Sequence, residues 1–474
     1  MRVARLHGVG DLRVTQEPVP SADGPDVLVR VTAVGICGSD LHWWDEGAIG
    51  DAKLTHPLVL GHEGAGVIAD GPRGGERVAI DPAIPCERCR ACRDGYRNLC
   101  YRLRFSGHEK TDGMMREFMT WPAAQLYPLP DRLSDVDGAM LEPLGVAVHS
   151  IDLGHLPFCG SASVVGCGPI GLLLIQLLKA AGASSVLAIE PLAHRREAAA
   201  RLGADLVADP GALGDGLMRE LTGHGVDVAF EAAGNDESVG LAIDSVRPGG
   251  RVVLAGIPGD DTITLQASAA RRKGLTIAMV RRMNEVYPRA ISLAERGAVD
   301  LDSVVTSRMG LGEIQAAFGE GARRSGLKVV IEPQRLGVGM KPMRAVRLAV
   351  VLDCCCVLLF VIIGRASHAK GESLAGVAST AWPFLAGLAG GWLAARAWRR
   401  PFGLVPAGLG VWLGAVAGGM VLRVVSGQGT AVAFIGVALA FLGLFLLGWR
   451  VVAGLASRYV SSGSGRRGSR SLLP

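Results

Sequence analysis

The chain has 474 residues, of which 49% are hydrophobic, 5% aromatic and 20% charged, with a mean hydropathy of +0.32 and a formal charge of +5. This hydrophobic content excludes a disordered chain and argues against one that only binds nucleic acid. The charge is uneven, because residues 345–474 hold 12 Lys or Arg and only 2 acids, whereas residues 1–344 hold 37 bases and 42 acids. Two different parts are therefore expected, one soluble and mildly acidic, the other typical of a membrane protein.

Residues 1–150 contain short runs of β-branched residues that glycine and proline interrupt, among them DVLVRVTAVG, HEGAGVIADG and GERVAID. Runs of this kind at a spacing of roughly 8 to 12 residues are typical of antiparallel strands, and a small barrel is one arrangement that closes them. The segment from about residue 290 to 333 ends in another apolar run, GLKVVIEP, which we expect to rejoin this first domain.

Between residues 151 and 290, apolar runs alternate with helical stretches. SASVVGCG precedes the helix PIGLLLIQLLKAAG, SVLAIE precedes HRREAAARLG, and the runs DVAFEAAG and RVVLAGIP follow. This alternation predicts βαβ units in a parallel, doubly wound sheet. A short linker that is rich in Gly, Pro and basic residues is expected at 334–344.

Residues 345–455 are divided by their charges into four long apolar segments. Between Arg347 and Arg365 lie 17 residues interrupted only by Asp353, and the next three gaps contain 23, 22 and 26 uncharged residues. Because a membrane-spanning helix needs about 20 apolar residues, we predict an all-α domain of four transmembrane helices and a basic disordered tail at 456–474. Four buried helices of a soluble protein are the alternative, which four such gaps in 130 residues disfavour.

Basic residues fall mainly on one side of these predicted helices, with 11 Lys or Arg on the side that holds both ends of the segment and 3 on the other. Cytoplasmic loops carry such an excess, so we expect a multi-pass protein of the cytoplasmic membrane whose two ends face the cytoplasm. The N-terminus agrees, since it shows no apolar stretch of a secretory signal. A lipid bilayer is therefore an expected partner, and nucleic acid is not.

Four of the ten cysteines lie close together in one polar loop, at Cys86, Cys89, Cys92 and Cys100. In a reducing compartment, clustered cysteines are more often metal ligands than disulfides. Four thiolates at this spacing can surround a tetrahedral Zn²⁺ and leave no position for water. We therefore predict a structural zinc site in this loop.

A second group of metal-ligating residues lies in glycine-flanked loops, with Cys37 in CGSDLH, and His62 and Glu63 in GHEG. Through CGSDLHWW, VLGHEGAG and LEPLGVAVH, residues 1–333 resemble the zinc-dependent medium-chain alcohol and polyol dehydrogenases, in particular the sorbitol (L-iditol) and L-idonate dehydrogenase branch. The resemblance implies a GroES-like β-barrel catalytic domain at 1–150 and a Rossmann NAD-binding domain at 151–290. Because family members form dimers and tetramers, a homodimer or homotetramer is expected.

The resemblance also implies a second, catalytic zinc. Cys37 and His62 are implied as two of its ligands. Glu142 occupies the position where classical alcohol dehydrogenases have a third cysteine, and Glu63 is the other candidate carboxylate. Which of the two glutamates binds zinc directly stays open at this point. Such a zinc acts as a Lewis acid that lowers the pKa of a substrate hydroxyl.

Four further residues are implied near the reacting alcohol. Ser39 and His42 correspond to a relay that carries the proton away from the substrate, a task that suits the usual pKa range of histidine. Trp43 and Arg282 correspond to substrate contacts, and Glu142 is implied as a third. Polyol dehydrogenases often carry tyrosine at the position of Trp43, so this tryptophan puts sorbitol itself in doubt.

The motif GCGPIG follows an apolar run and opens a helix, which is the placement that a dinucleotide-binding turn requires. Glu190 ends the next predicted strand, where a carboxylate accepts hydrogen bonds from the ribose hydroxyls and repels a 2′-phosphate. This favours NAD, while Arg195 and the residue after it leave NADP as the alternative. The predicted cofactor-binding residues, completed from the resemblance, are Gly166, Gly168, Ile170, Gly171, Glu190, Arg195, Ala255 and Gly256.

Asp353 lies inside the first predicted membrane helix, where a carboxylate is costly and usually paired. Arg365 and His368, just beyond that helix, are possible partners, and the alternative is that Asp353 lies near the headgroups and is solvated. The pattern D…GR-x-SH…TAWPF resembles an uncharacterised family of small four-helix bacterial membrane proteins. That resemblance implies a topology and no activity.

The sequence thus predicts a membrane-tethered, NAD-dependent zinc dehydrogenase that oxidises the secondary alcohol of a polyol or sugar acid. Two other functions stay open. One is a membrane transporter or sensor whose dehydrogenase-like domain binds a ligand without turnover, and the other is a simple alcohol dehydrogenase. Met340 is also a plausible start for a separate protein.

Overall fold

The structure is a computed structural model that describes residues 1–212, 223–259, 261–335, 340–366, 374–399 and 401–463. The chain divides into two compact units, Met1–Gly337 and Val338–Pro474.

The first unit contains twenty strands and nine α-helices among its described residues. Its strands are β1 Arg2–Gly8, β2 Asp11–Gln16, β3 Asp26–Gly35, β4 Ala48–Ile49, β5 Ala52–Lys53, β6 Leu58–Val59, β7 Glu63–Ile68, β8 Arg77–Ile80, β9 Ala83–Ile84, β10 Arg104–Phe105, β11 Phe118–Pro122, β12 Leu126–Pro128, β13 Ser161–Val165, β14 Ser185–Ile189, β15 Leu206–Ala208, β16 Val226–Glu231, β17 Val246–Leu254, β18 Thr276–Met279, β19 Val305–Gly310 and β20 Lys328–Glu332. Its helices are α1 Gly38–Glu46, α2 Arg90–Arg93, α3 Asp135–Gly154, α4 Pro169–Ala180, α5 Ala193–Arg201, α6 Asp236–Ser245, α7 Ala267–Lys273, α8 Tyr287–Glu295 and α9 Ile314–Ala322.

The main sheet of the predicted first domain is built around β3, in the order β12-β8-β7-β3-β20-β19, with β11 also paired to β3. Val29, Val31 and Val34 on β3 are fully buried, which places this strand in the core. β20 pairs with β3, so the last strand of this unit does return to the first domain. Gly35 at the end of β3 lies opposite Glu63 at the start of β7, and this register brings the loops after β3 and before β7 together.

The predicted parallel, doubly wound sheet is present in the second domain of this unit. Its six strands run in the order β15-β14-β13-β16-β17-β18, and all their pairings are parallel. The strand order reverses between β13 and β16. Open α/β sheets bind ligands in the crevice at the carboxyl ends of the strands at such a reversal. This predicts a site beyond Val165 and Glu231, where β13 and β16 end.

The second unit consists of four long helical segments, α10 Met340–Ala366, α11 Leu374–Ala394, α12 Leu404–Val425 and α13 Val432–Gly463. Among the described residues, three of these four segments are long and apolar enough to cross a membrane, at Val346–Ala366, Leu404–Val425 and Val432–Val452, whereas four such helices were predicted and α11 is not among the three. α10 begins inside the predicted linker, and α13 continues into the predicted tail, so both helices are longer than expected. Residues 464–474 of that tail lie outside the described residues.

Glycines let α11 and α12 approach closely. A Cβ added at Gly387 would lie 2.6 Å from the carbonyl oxygen of Gly414, and one added at Gly391 would lie 2.6 Å from that of Gly410. Small residues at this spacing allow helix backbones to touch, which is the usual way in which helices pack in membranes.

The carboxylate of Asp353 in α10 is fully buried, and its expected pairing with Arg365 is wrong. Arg450 in α13 donates two hydrogen bonds to it, both at 2.8 Å, and both side chains are 0% exposed. The indole N–H groups of Trp392 and Trp449 donate to the same carboxylate at 2.9 and 3.0 Å. Arg365 instead donates to Thr380 Oγ1, and His368 lies outside the described residues. The alternative of a solvated Asp353 is therefore also wrong.

Candidate active site

Three metal-ligating side chains meet where β3 ends and β7 begins. Cys37 caps the N-terminus of α1, two residues after β3, and His62 and Glu63 stand at the start of β7. Because Gly35 pairs with Glu63, the two segments lie side by side. The donor atoms of Cys37, His62 and Glu63 all lie within 4.8 Å of one another. A thiolate, an imidazole and a carboxylate are ligands that zinc takes, so this donor set fits the predicted catalytic ion.

The two candidate glutamates, Glu63 within this group and Glu142 on α3, are both buried. Lys328, at the start of β20, places its Nζ 2.6 Å from one oxygen of Glu63 and 2.5 Å from the other. Glu142 lies on α3, where burial raises the pKa of its carboxyl to about 7, with His62 opposing and Glu63 adding to this shift. Negative charge therefore accumulates at this point, and Lys328 compensates only part of it. Lys328 was not predicted from the sequence, because a single lysine in an apolar strand shows no partner.

Asp40 is a second residue of the site that was not predicted, although it stands within the CGSD motif. Its fully buried carboxylate accepts hydrogen bonds from the backbone N–H groups of Cys37 at 3.0 Å and Gly61 at 3.1 Å. His62 Nδ1 lies 3.6 Å from Asp40 Oδ1. Burial lowers the pKa of His62, but Asp40 and Cys37 more than offset this and hold that pKa well above its usual value. Asp40 thus orients the imidazole and favours a cation beside it.

We expect Asp40→Asn to weaken zinc binding by about 10- to 100-fold, the usual effect of losing a carboxylate that orients a ligand histidine. The amide cannot accept both backbone hydrogen bonds as the carboxylate does. A competition titration with a chelator measures this affinity. Asp45→Asn on the exposed face of α1 is the matched control, and an equal loss in both variants would contradict the role of Asp40.

The four clustered cysteines converge as predicted. Their sulfurs lie within 4.8 Å of one another, with Cys89 Sγ at 3.5 Å from Cys92 Sγ and 3.9 Å from Cys100 Sγ. Backbone N–H groups of Cys86 and Arg102 donate to Cys100 Sγ. Backbone N–H groups of Cys92 and Tyr101 lower the pKa of Cys89 to about 6, which favours the thiolate. This donor set fits a closed tetrahedral zinc site.

A cavity of about 670 Å³ is lined both by the GCGPIG turn and by Cys37, one of the three metal-ligating residues. Gly166 has a φ of +92°, which suits glycine, and a Cβ at Gly171 would lie 1.9 Å from the carbonyl oxygen of Gly166. These two glycines therefore permit the tight turn and the close approach of α4 to it. Gly171 itself is buried beneath the turn. The predicted residues that line the cavity are Cys37, Ser39, His42, Gly166, Gly168, Ile170, Glu190, Arg195, Ala255 and Gly256.

Glu190 and Arg195 lie at the cofactor end of this cavity. The carboxylate of Glu190 accepts hydrogen bonds from the backbone N–H groups of Cys167 at 2.7 Å and Leu192 at 3.0 Å. Arg195 donates to the carbonyl oxygen of Gly326, and its Nε is a buried donor without a hydrogen-bond partner among the described residues. An acid that is held rigidly next to the turn and a cation with a free donor fit the ribose and phosphate groups of a dinucleotide.

The two predicted relay residues lie on α1. Ser39 Oγ is 3.4 Å from His62 Nε2, and His42 Nδ1 is 2.9 Å from Glu46 Oε1. Glu46 is largely exposed, so this pair connects the cavity to solvent. Glu46 was not among the predicted residues, although its position four residues after His42 on a helix could have indicated it.

Arg282 lies close to the metal-ligating group. Its guanidinium carbon is 3.7 Å from the centre of the Phe105 ring, and the rings of Phe105 and His62 are 5.3 Å apart. Trp43 is buried, and its ring meets His108 edge-on at 5.7 Å. Phe105 and His108 were not predicted, since nothing in their sequence places that loop against α1.

Three parts of the chain match known families. Residues 23–131 match the alcohol dehydrogenase GroES-like domain, and residues 169–296 match the zinc-binding dehydrogenase family. Residues 350–453 match a protein family of unknown function, DUF3054.

Individual known proteins are similar to the first unit in sequence and in fold. The chain is 34% identical over 349 residues to sorbitol dehydrogenase of Bacillus subtilis, which spans 71% of this chain and 98% of that protein. It is 34% identical over 340 residues to D-xylulose reductase A of Aspergillus niger, spanning 69% and 95%. A zinc-binding dehydrogenase of Sinorhizobium meliloti, solved with NADP bound, superposes with a TM-score of 0.65 and 31% identity over 70% of this chain and 99% of that one.

The chain therefore belongs to the zinc-binding medium-chain dehydrogenases, which confirms the predicted family and fold class. It is an NAD(P)-dependent dehydrogenase of the alcohol and polyol type, with zinc and a nicotinamide nucleotide as cofactors. Residues 350–453 in its second unit match a family of unknown function, in agreement with the sequence pattern.

Proposed function

We propose that this protein oxidises the secondary alcohol of a polyol or sugar acid and transfers the hydride to NAD. One observation supports this most directly: Cys37, which lies within 4.8 Å of the donor atoms of His62 and Glu63, lines the same cavity as the dinucleotide-binding turn. Zinc bound by that group supplies a Lewis acid that lowers the pKa of a substrate hydroxyl. Ser39 and His42, with Glu46 behind His42, move the released proton toward solvent.

Steady-state kinetics of the full chain test this proposal. We expect turnover with members of a panel of polyols and aldonic acids, with NAD as the better acceptor and simple alcohols as poorer substrates. Binding of NADH without turnover of any polyol, sugar acid or alcohol would contradict it and favour a ligand-binding domain. Faster turnover of ethanol or butanol than of any polyol would favour a simple alcohol dehydrogenase.

We infer that Glu63 rather than Glu142 is the protein carboxylate that binds zinc directly, because only Glu63 joins Cys37 and His62 within 4.8 Å. We expect Glu63→Gln to lower the affinity of this site for zinc by at least about 10-fold more than Glu142→Gln does. Zinc content after graded dialysis against a chelator measures the difference. A larger loss in Glu142→Gln would assign the ligand to Glu142.

We expect Glu190→Gln to lower kcat/KM for NAD by about 10- to 100-fold, since hydrogen bonds to a charged group contribute about 1.5–3 kcal/mol. The neutral amide also removes a charge that repels a 2′-phosphate, so kcat/KM for NADP should rise. Cofactor kinetics at saturating substrate measure both effects. A parallel fall for NAD and NADP would show that Glu190 only supports the turn.

We propose that the second unit tethers the enzyme to the cytoplasmic membrane with both ends in the cytoplasm. Three helices in it are long and apolar enough to span, and the basic residues favour this orientation. Membrane fractions should contain one band near 49 kDa on an immunoblot, because the chain has a mass of 49.4 kDa. A shorter soluble band would instead support a separate protein that starts at Met340. Proteases added outside intact spheroplasts should leave the dehydrogenase unit uncut.

We propose a homodimer that forms through β18. This strand lies at the edge of its sheet, and the side chain of Met279 on it is 64% exposed. An unpaired edge strand with apolar residues can pair with its own copy around a two-fold axis. Light scattering of the solubilised protein should give twice the chain mass, and four times that mass would indicate a homotetramer. Met279→Lys should yield a monomer.

A further inference from the structure

The cysteine-rich loop, residues 86–104, carries an excess of positive charge. It holds six arginines and two acids, although residues 1–344 as a whole hold 37 bases and 42 acids. Both acids are already paired, since Glu87 Oε2 lies 2.6 Å from Arg97 Nη2 and Asp94 Oδ2 lies 2.6 Å from Arg90 Nε. The other four arginines are exposed and form no ion pair or side-chain hydrogen bond among the described residues; they are Arg88, Arg93, Arg102 and Arg104.

The fold of this loop gathers its charges into one place. The four cysteine sulfurs lie within 4.8 Å of one another. Arg88 and Arg93 each adjoin one of these cysteines, and Arg102 follows the last of them by two residues. Because the backbone spans only about 3.8 Å per residue, these arginines are kept near the same point. Arg281 is also exposed, and Asn98 Nδ2 donates to its carbonyl oxygen at 2.9 Å, which adds a fifth arginine beside the loop.

Three large side chains with apolar surface are exposed on the same loop. Tyr101 is 75% exposed, Tyr96 57% and Leu99 43%. Tyrosine is enriched where a membrane meets water, because its ring is apolar while its hydroxyl stays wet. Arginine suits phosphate groups, to which its planar guanidinium donates two parallel N–H groups. Arginines interleaved with tyrosines therefore match the headgroup layer of a bilayer that contains anionic phospholipids.

We propose that residues 86–104 dock on the anionic cytoplasmic face of the membrane, with the exposed arginines on lipid phosphates and Tyr96, Leu99 and Tyr101 among the headgroups. This inference rests on the proposed tether, which holds the dehydrogenase unit near that face. Each arginine near an anionic surface strengthens the association by about 5-fold. The charge favours lipid over a second copy of the loop, because contact of the loop with itself across a two-fold axis would oppose like charges.

Arginine-selective modification of the full chain tests this contact. The protein is placed in nanodiscs of phosphatidylcholine alone or of phosphatidylcholine with phosphatidylglycerol, and phenylglyoxal adducts are located by mass spectrometry. We expect the four loop arginines to react at least about 5-fold more slowly in the anionic discs, and high salt should remove the difference. Arg271 and Arg272, which are exposed on α7, are internal controls and should react equally in both discs. Equal rates for the loop arginines in both discs would overturn the inference and leave the tether intact.

Substitution of the loop arginines assigns the effect to their charge, with hydrogen exchange of residues 86–104 as the readout. In the wild type, exchange of these amides should be slower in the anionic discs. It should be equal in both discs for the fourfold variant Arg88→Gln, Arg93→Gln, Arg102→Gln and Arg104→Gln. Two zinc ions per chain and unchanged NADH binding show that this variant is folded.

The matched control for these substitutions is Arg271→Gln with Arg272→Gln, which should behave as the wild type. Slower exchange in the anionic discs that persists in the fourfold variant would overturn the inference, because the arginines would then not make the contact.

Failure of the tether and other occupants of the loop give different results. A full chain that does not insert into bilayers would contradict the tether, yet it should still float with vesicles that contain phosphatidylglycerol and not with phosphatidylcholine vesicles. Protection of the loop arginines that is equal in detergent and in both discs, and is lost on dilution, would show that a second copy covers them. Protection by added RNA but not by anionic lipid would assign the loop to a nucleic acid. Either of the last two results would overturn the inference.

Discussion

Cys37→Ala is expected to remove one of two zinc ions per chain and to lower kcat/KM by about three orders of magnitude or more, with the fold retained. The magnitude follows because a Lewis-acid metal contributes several kcal/mol to stabilising charge in the transition state, and each factor of ten corresponds to about 1.4 kcal/mol. The fold is retained because Cys37 is only half-buried at the N-terminus of α1 and α1 keeps its cap from Asp40. NADH binding should therefore be unchanged.

The cysteine-rich loop offers the complementary variant. Cys89→Ala should also leave one zinc ion per chain, yet its main effect should be a lower melting temperature, because closed zinc sites contribute to folding. Cys159→Ala, at an exposed cysteine, is the control and should retain two ions and full activity. Elemental analysis, thermal unfolding and kinetics on the three variants separate the two sites. Full activity in Cys37→Ala would refute a catalytic metal at this position.

The site residues that could be identified from the sequence are those whose role follows from their spacing within one short segment. The spacing of four cysteines within fifteen residues indicates a metal site, and the spacing of three glycines in GCGPIG indicates a tight turn before a helix. The structure brings each set together. Cys37 and His62 are 25 positions apart, and only the antiparallel pairing of β3 with β7 explains why they meet. The sequence could suggest that meeting through resemblance to a family but not through any local pattern.

Long-range partners of charged residues were not predictable in the same way. Lys328 reaches Glu63 because β20, near the end of the first unit, pairs with β3. Asp353 finds Arg450 across 97 positions, whereas sequence proximity pointed to Arg365. A single charge in an apolar run indicates that a partner is needed, but only the packing of the elements selects which one.

Helix ends in the second unit also differed from the expectation drawn from charge gaps. Arg347 and Arg450 were used as boundaries, yet α10 begins at Met340 and α13 continues to Gly463. A charge ends an apolar segment only if it must reach water. Arg450 does not need to, because Asp353 and the carbonyl oxygens of Pro401 and Leu446 take up its donors.

Asp353→Leu is expected to destabilise the second unit by at least about 3–5 kcal/mol, the usual cost of leaving one member of a buried ion pair alone. Four donors converge on this carboxylate from three side chains, and all of them lose their acceptor at once. Arg450 keeps only backbone carbonyls, and the indole N–H groups of Trp392 and Trp449 are left without a partner, which adds about 1–3 kcal/mol for each that stays dry.

Arg450→Leu should be less harmful than Asp353→Leu, although it breaks the same ion pair. Asp353 then still accepts hydrogen bonds from Trp392 and Trp449, so its charge is partly satisfied. The double variant with leucine at both positions removes both charges and should be more stable than Asp353→Leu alone, since replacing a buried ion pair by apolar residues is often nearly neutral. The expected order of stability is therefore wild type first and Asp353→Leu last, with Arg450→Leu and the double variant between them, because the double variant still leaves the indole N–H groups of Trp392 and Trp449 without their acceptor.

Thermal unfolding in a mild detergent, followed by the loss of monodisperse protein, measures this order. Cys355→Ala is the control, because it lies in the same turn of α10 with an exposed side chain, and dehydrogenase activity of each variant reports on the first unit separately. A double variant that is as unstable as Asp353→Leu would mean that the two charges do not act mainly on each other. The carboxylate would then act mainly as the acceptor for its two indole donors, which join α10 to α11 and α13. In that case Asp353→Asn, which keeps one acceptor oxygen, should be much more stable than Asp353→Leu. If Asp353→Leu is as stable as the wild type, the second unit does not depend on this network.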